Sequence, residues 1–164
     1  MELLGKDPEF DIRGDESTRI YARNNALPSS YIDEDAKIYN SFVAEGCEVY
    51  GTIRHSVVSV GCTIGEGALV SYSVLMPGVV IEPGAVVEYA IIGENAVIKA
   101  GAQVKHCIVA EDAVIGENAI VGAMPEGGAS GVATIGPDVV VGANAKIGPN
   151  AMVKENVKEG EEQC

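Results

Sequence analysis

A β-branched aliphatic returns every five or six residues along most of this chain, and four places after it stands a small apolar residue. The stretch Ile64-Gly-Glu-Gly-Ala68-Leu shows the unit; Ile81-Glu-Pro-Gly-Ala85-Val and Ile115-Gly-Glu-Asn-Ala119-Ile restate it. So short a period means a solenoid, because a unit this small buries its apolar face only against its neighbours. Ile, Val or Leu opens the steps at 32, 38, 43, 49, 53, 58, 64, 70, 75, 81, 87, 92, 98, 104, 109, 115 and 121. After a break the series resumes at 135, 141, 147 and 153. Three openings to a turn give about seven coils. The chain reads as an all-β, hexapeptide-repeat parallel β-helix.

The residue types agree with that reading. Each side needs one large and one small residue pointing inward where three short strands converge. The first slot supplies a stiff aliphatic suited to strands. The fifth is usually Ala, with Cys47 and Cys62 standing in for it in neighbouring coils. The fourth slot must turn a corner. It is filled by Gly46, Gly61, Gly67, Gly78, Gly84, Asn95, Gly101, Asp112, Asn118, Asp138, Asn144, Asn150 and Asn156. Those types tolerate a left-handed backbone at low steric cost.

One side of each coil is a residue short and reads as a motif, as in Ile53-Arg-His55-Ser-Val57 and Val87-Glu-Tyr89-Ala-Ile91. From His55 to Tyr72 to Tyr89 to His106 the step is always 17 residues. Asn40, His55, Tyr72, Tyr89 and His106 should therefore form an outward ladder, serving either as an interface or as a stiffening stack. The sixth copy begins at Val121 and fails at Pro125, so a loop is expected at 122–134. Residues 1–31 do not repeat and read as an extended connector or capping arm. The helix then spans 32–157, and 158–164 reads as a polar tail. At a strand spacing near 4.8 Å, seven coils make a prism roughly 34 Å long.

Eight aromatics (six Tyr and two Phe) and no Trp suit a prism filled by aliphatics. The net charge of −13 argues against nucleic acid and anionic membrane as partners. No apolar run approaches the ~20 residues needed to cross a bilayer. The four cysteines show no metal-ligand spacing, and a reduced cytoplasmic setting is expected.

The stretch Ile20-Tyr-Ala-Arg-Asn24-Asn-Ala-Leu-Pro28-Ser-Ser-Tyr31-Ile32 resembles the connector of bacterial glucose-1-phosphate adenylyltransferases. Asn40 to Cys47, Gly51 to Val57 and Tyr72 to Gly78 are similar to that family's first coils. The resemblance implies a left-handed β-helix that forms the C-terminal regulatory and oligomerisation part of an enzyme of glycogen synthesis. It implies a reaction of ATP with glucose 1-phosphate giving ADP-glucose and pyrophosphate, with Mg²⁺ and ATP held by an N-terminal catalytic domain. That domain's Gly-rich phosphate loop has no match here, so no catalytic, cofactor or metal residue is assigned and the chain alone is expected to be inactive. The implied partners are the catalytic domain, further subunits in a homo- or hetero-oligomer, and a phosphate or sugar-phosphate effector. Arg19, Arg23 and Arg54 are the candidate residues for that anion; His55, Tyr72, Tyr89 and His106 are the candidate interface.

The same solenoid hosts other chemistries, so fold alone does not choose. A zinc carbonic anhydrase needs a three-His site, and this chain has His55 and His106, roughly 14 Å apart at three coils. A CoA-dependent acyltransferase would use one of them as general base at a trimer seam. A non-catalytic scaffold subunit is the remaining alternative.

Overall fold

The structure is a computed structural model, and it describes residues 27–125 and 131–163. Over these residues the chain winds as a left-handed parallel β-helix of strands two or three residues long, with no helix among the described residues. The strands stack in three sheets of seven, eight and seven. The first sheet starts at Tyr31–Ile32, the second at Lys37–Tyr39 and the third at Phe42–Val43. The chain visits them in rotation. Register follows the sequence repeat: Ile64, Ile81, Ile98 and Ile115 are successive partners in the first sheet.

Strands are short because each inward aliphatic is followed at once by a corner. From Val49 to Val153 every first-slot aliphatic is at most 3% exposed, and the small fifth-slot residues from Cys47 to Ala151 are at most 8% exposed. Twelve of the thirteen expected corner residues have φ between 53° and 73°. The exception is Asn156, whose Oδ1 accepts a hydrogen bond from the Val140 amide at 2.9 Å. Gly160, with φ 68°, makes the next left-handed corner. Residues 158–164 read as a polar tail in the sequence, yet Glu162–Gln163 forms a strand against Lys146–Ile147. Val157 bridges Val141, so the chain enters an eighth coil.

Length changes fall at corners. The first coil's strand Tyr31–Ile32 pairs with Glu48–Val49, 17 residues on, whereas Lys37 pairs with Thr52, only 15 on. Two residues are therefore missing between Val49 and Thr52. Beyond Val121 the offset grows to 26, as in Val114↔Val140, which is nine more than 17. The loop expected at 122–134 accounts for those nine. It closes sooner than expected, because Ala133–Ile135 is already a strand paired with Cys107–Val109. Residues 126–130 of that loop lie outside the described residues.

Candidate functional site

The short side places its third residue at a corner, and this is where the ladder forms. Asn40, His55, Tyr72, Tyr89 and His106 all take left-handed φ, between 42° and 52°. For a bulky Tyr that backbone is uncommon and strained. Compensation comes from three sources. The amide of each residue from His55 to His106 donates to a carbonyl one coil back, at 3.0 Å throughout. The rings stack: His55 on Tyr72 at 4.9 Å and Tyr72 on Tyr89 at 4.8 Å, both near parallel. The Asn40 amide meets His55 Nδ1 at 3.2 Å, ending the stack at the first coil.

Behind the rings runs a buried serine column. Ser56 Oγ donates to Arg54 O at 2.7 Å and accepts from the Ser73 amide; Ser73 Oγ donates to Ser71 O at 2.8 Å and accepts from the Ala90 amide. Each hydroxyl thus fixes the turn that follows a left-handed residue. Ala90 and Cys107 occupy the column's next positions, while His106 stays in the ladder, its Nδ1 buried with no hydrogen-bond partner among the described residues. The sequence announced the ladder by its 17-residue step. It did not announce the left-handed backbone, because Tyr is a poor signal for it.

Of the candidate anion ligands, Arg54 is exposed and its guanidinium lies 5.3 Å over the Tyr39 ring, a cation–π contact. Arg19 and Arg23 lie outside the described residues, as does residue 1–26 of the arm generally. The two missing residues at Tyr50–Gly51 leave a notch of about 400 Å³ between the corners of the coils on either side. Its walls carry Asp33, Asp35 and Glu66 against the single cation Lys37. Such a notch repels an anion, so the Arg54 side of the second sheet is the more favourable place for one. No group of three or more His, Cys, Asp or Glu side chains among the described residues is placed to share a metal ion.

Cys47 and Cys62 sit inside neighbouring coils as free thiols, their Sγ atoms donating to Ser59 O at 3.0 Å and Met76 O at 3.2 Å. Contact with Cys47, reinforced by burial, pushes the Cys62 thiol above its ordinary range. Burial alone pushes Cys107 up to about 12. All three are packing residues in this geometry.

The two ends of the prism differ. At the C-terminal end Val153 and Val157 are each 3% exposed, and the chain winds on past Val153 to pair at Val157 and Glu162–Gln163. At the N-terminal end the inward aliphatics of the first coil stay open: Ile32 is 44% exposed, and Ile38 and Val43 are half-buried. Leu27 packs at the adjoining corner instead, within 2.9 Å of where a Cβ on Gly46 would stand. The residues between Leu27 and the first strand already follow the coil, for the Gly46 amide donates to Pro28 O at 2.8 Å.

A prism of hexapeptide coils, with a ring ladder on one edge, defines a class of protein, the hexapeptide-repeat β-solenoids. Residues 28–104 match the family described as GlmU-like, C-terminal hexapeptide. Among curated proteins, the chain is similar to the glucose-1-phosphate adenylyltransferase of Thermosipho melanesiensis, 40% identical over 70 residues. That stretch is 43% of this chain and 17% of the relative. The enzyme of the same name from Geobacillus stearothermophilus is 44% identical over 70 residues, 43% of this chain and 18% of the relative. The chain therefore covers less than a fifth of the curated relatives it matches.

Among solved structures, a perosamine N-acetyltransferase from Caulobacter crescentus, with CoA and GDP-perosamine, aligns at TM-score 0.43 and 18% identity. The alignment covers 83% of this chain and 53% of that one. LpxA from Acinetobacter baumannii aligns at TM-score 0.40 and 15% identity, over 79% of this chain and 64% of that one. No helix among the described residues is long and apolar enough to cross a membrane.

Proposed function

We propose that this chain is the β-helix part of a glucose-1-phosphate adenylyltransferase, acting in regulation and assembly while an α/β catalytic domain supplies the chemistry. The observation that carries this reading is the partial exposure of the first coil's inward aliphatics among the described residues. A solenoid needs both ends covered, and Ile32, Ile38 and Val43 present an apolar cross-section that the C-terminal end does not. A catalytic domain seated there removes that surface from water. It also brings the phosphate-handling groups close to the first two coils. The similarity to the adenylyltransferases supports the same assignment. In this arrangement a phosphate or sugar-phosphate effector binds at the junction, with Arg54 as one of its cations, and Mg²⁺ and ATP belong to the catalytic domain.

The test is a fusion. The catalytic domain of the Thermosipho melanesiensis relative is joined to this chain in place of its own β-helix, and pyrophosphate release from ATP and glucose 1-phosphate is measured. The fusion should be active and should respond to a sugar phosphate. Ile32→Glu should abolish that activity, and this chain alone should give none. A fusion no more active than the isolated catalytic domain, with the β-helix folded by circular dichroism, would refute the proposal. So would pyrophosphate release by the chain alone.

A further inference from the structure

At two places the inward small slot holds Cys, and both fall on one column of the first sheet. Glu48 pairs with Thr63, so Cys47 and Cys62, each one residue earlier, stack on neighbouring strands. Ser30 precedes them in that column, and Val79, Ala96 and Ala113 follow. Val and Ala are fully packed there, so packing alone does not call for sulfur at either place. Neighbouring parallel strands set the two Cα atoms about 4.8 Å apart, inside the roughly 4.4–6.8 Å that a disulfide spans.

We infer that Cys47 and Cys62 form a reversible redox pair, which a hydroperoxide oxidises to a disulfide. Their places in the column divide the roles. Cys47 lies nearer the N-terminal end. Among the described residues the column beyond it holds only half-buried Ser30, whose Oγ accepts from the Cys47 amide at 3.2 Å. A molecule as small as hydrogen peroxide reaches Cys47 past that hydroxyl when the end coil loosens, as terminal elements do most readily. Cys62 is enclosed between Cys47 and Val79. Contact with Cys62 also holds the Cys47 thiol below its ordinary range, which favours the nucleophilic thiolate there.

The Cys47 thiolate attacks one peroxide oxygen. An S–O bond forms and the O–O bond breaks. Hydroxide leaves and takes up the proton that Cys47 released, giving water, and Cys47 is now a sulfenic acid. The Cys62 sulfur then attacks the Cys47 sulfur: the S–S bond forms, the S–O bond breaks, and the hydroxyl departs with the Cys62 proton as water. Two thiols give up two electrons and the peroxide receives them. Stacked parallel residues hold their Cβ atoms about one strand spacing apart, wider than the ~3.5–4.5 Å of a relaxed disulfide. The bond is therefore strained and readily reduced again. The ring it closes contains the shortened corner at Tyr50–Gly51 and Arg54, so oxidation pins the coil that presents that cation. The inference stands apart from the proposed function, since it needs no catalytic domain.

The test uses the full chain carrying Cys107→Ala and Cys164→Ser, which leaves no other thiol. It is treated with hydrogen peroxide, and free thiols are then blocked with iodoacetamide. Trypsin cuts between the pair at Arg54, so mass spectrometry reads the link as joined peptides. The expected result is loss of both free thiols, joined peptides carrying Cys47 and Cys62, and return of both thiols with dithiothreitol. With Cys62→Ala, Cys47 should stop at a sulfenic acid that dimedone captures; with Cys47→Ala, Cys62 should stay free. Circular dichroism checks the fold, and Cys62→Val and Cys47→Val, matching Val79, read the same outcomes should an Ala variant fail to fold. Two free thiols in the folded chain, under peroxide that consumes added glutathione, would overturn the inference. So would a link that forms only in urea, or dimedone capture at Cys62 instead of Cys47.

Discussion

The rings of Tyr72 and Tyr89 lie 4.8 Å apart and 7° from parallel, although 17 residues separate them in sequence. Their separation equals the spacing of adjacent parallel strands. The stack is thus a direct readout of the coil register, and both residues hold a backbone conformation that Tyr rarely adopts.

Replacing Tyr72 separates the two contributions. Tyr72→Asn keeps a residue that tolerates φ 48° but removes both ring contacts, and should cost about 1–2 kcal/mol. Tyr72→Val removes the rings and adds a β-branched side chain where φ is positive, so it should cost more. Urea midpoints should fall in the order parent, Asn, Val. An Asn variant as stable as the parent would show that the rings contribute nothing to the fold.

Two glycines on one edge should behave oppositely. A Cβ on Gly51 would stand 2.6 Å from Ala68 O and 2.7 Å from Gly65 O, both backbone atoms. Gly51→Ala should therefore cost roughly 2–3 kcal/mol by overpacking. At Gly67 nothing lies within 4 Å, and φ is 67°. Asn already fills the equivalent corner at Asn118, so Gly67→Asn should change stability by less than about 0.5 kcal/mol. Thermal melts of the two variants decide the matter.

Burial at Cys107 makes stability depend on alkaline pH. Its thiol rises from an ordinary 9.0 to about 12 in the folded chain. The unfolded chain then loses this proton first as pH rises, so stability is full below pH 9.0 and declines as pH climbs towards about 12. Cys107→Ala should flatten that part of the decline without disturbing the coil, since Ala90 and Ala133 occupy the same column and are buried. Denaturant titrations at several alkaline pH values check it. An identical slope in the variant would assign the decline to other groups.

Ile98, fully buried in a central coil, tests the register. Ile98→Val should cost about 1 kcal/mol. Ile98→Asp should prevent folding, because it buries an unpaired charge among aliphatics. Circular dichroism of the Asp variant is the readout, and a parent-like spectrum and melt would contradict the inward assignment.

The core was legible in the sequence because a solenoid repeats its packing problem at each step. Ile64, Ile81, Ile98 and Ile115 could be assigned inward from period alone, and so could the Gly and Asn corners. What stayed hidden depends on departures from the period. Asn156 has a corner residue's identity but bonds to Val140 instead, since the last coil closes differently. The notch at Tyr50–Gly51 arises from two absent residues, and an absence leaves no side chain to read. The exposure of Ile32 was equally silent: it opens a step as Val49 does, but among the described residues its strand pairs on one side only.

The two residues missing at Tyr50–Gly51 and the nine added before Ala133 leave every inward aliphatic in its column. Distance along the axis is consequently decoupled from distance along the chain: coils are counted in space, and corners absorb any surplus or deficit of sequence. A peptide spliced in beside Gly84, where nothing lies within 4 Å, would lengthen the polypeptide and leave the prism its length. The edges of this molecule can thus vary in content while its three faces keep a constant ruling, and a surface that recognises those faces is insulated from changes at the edges.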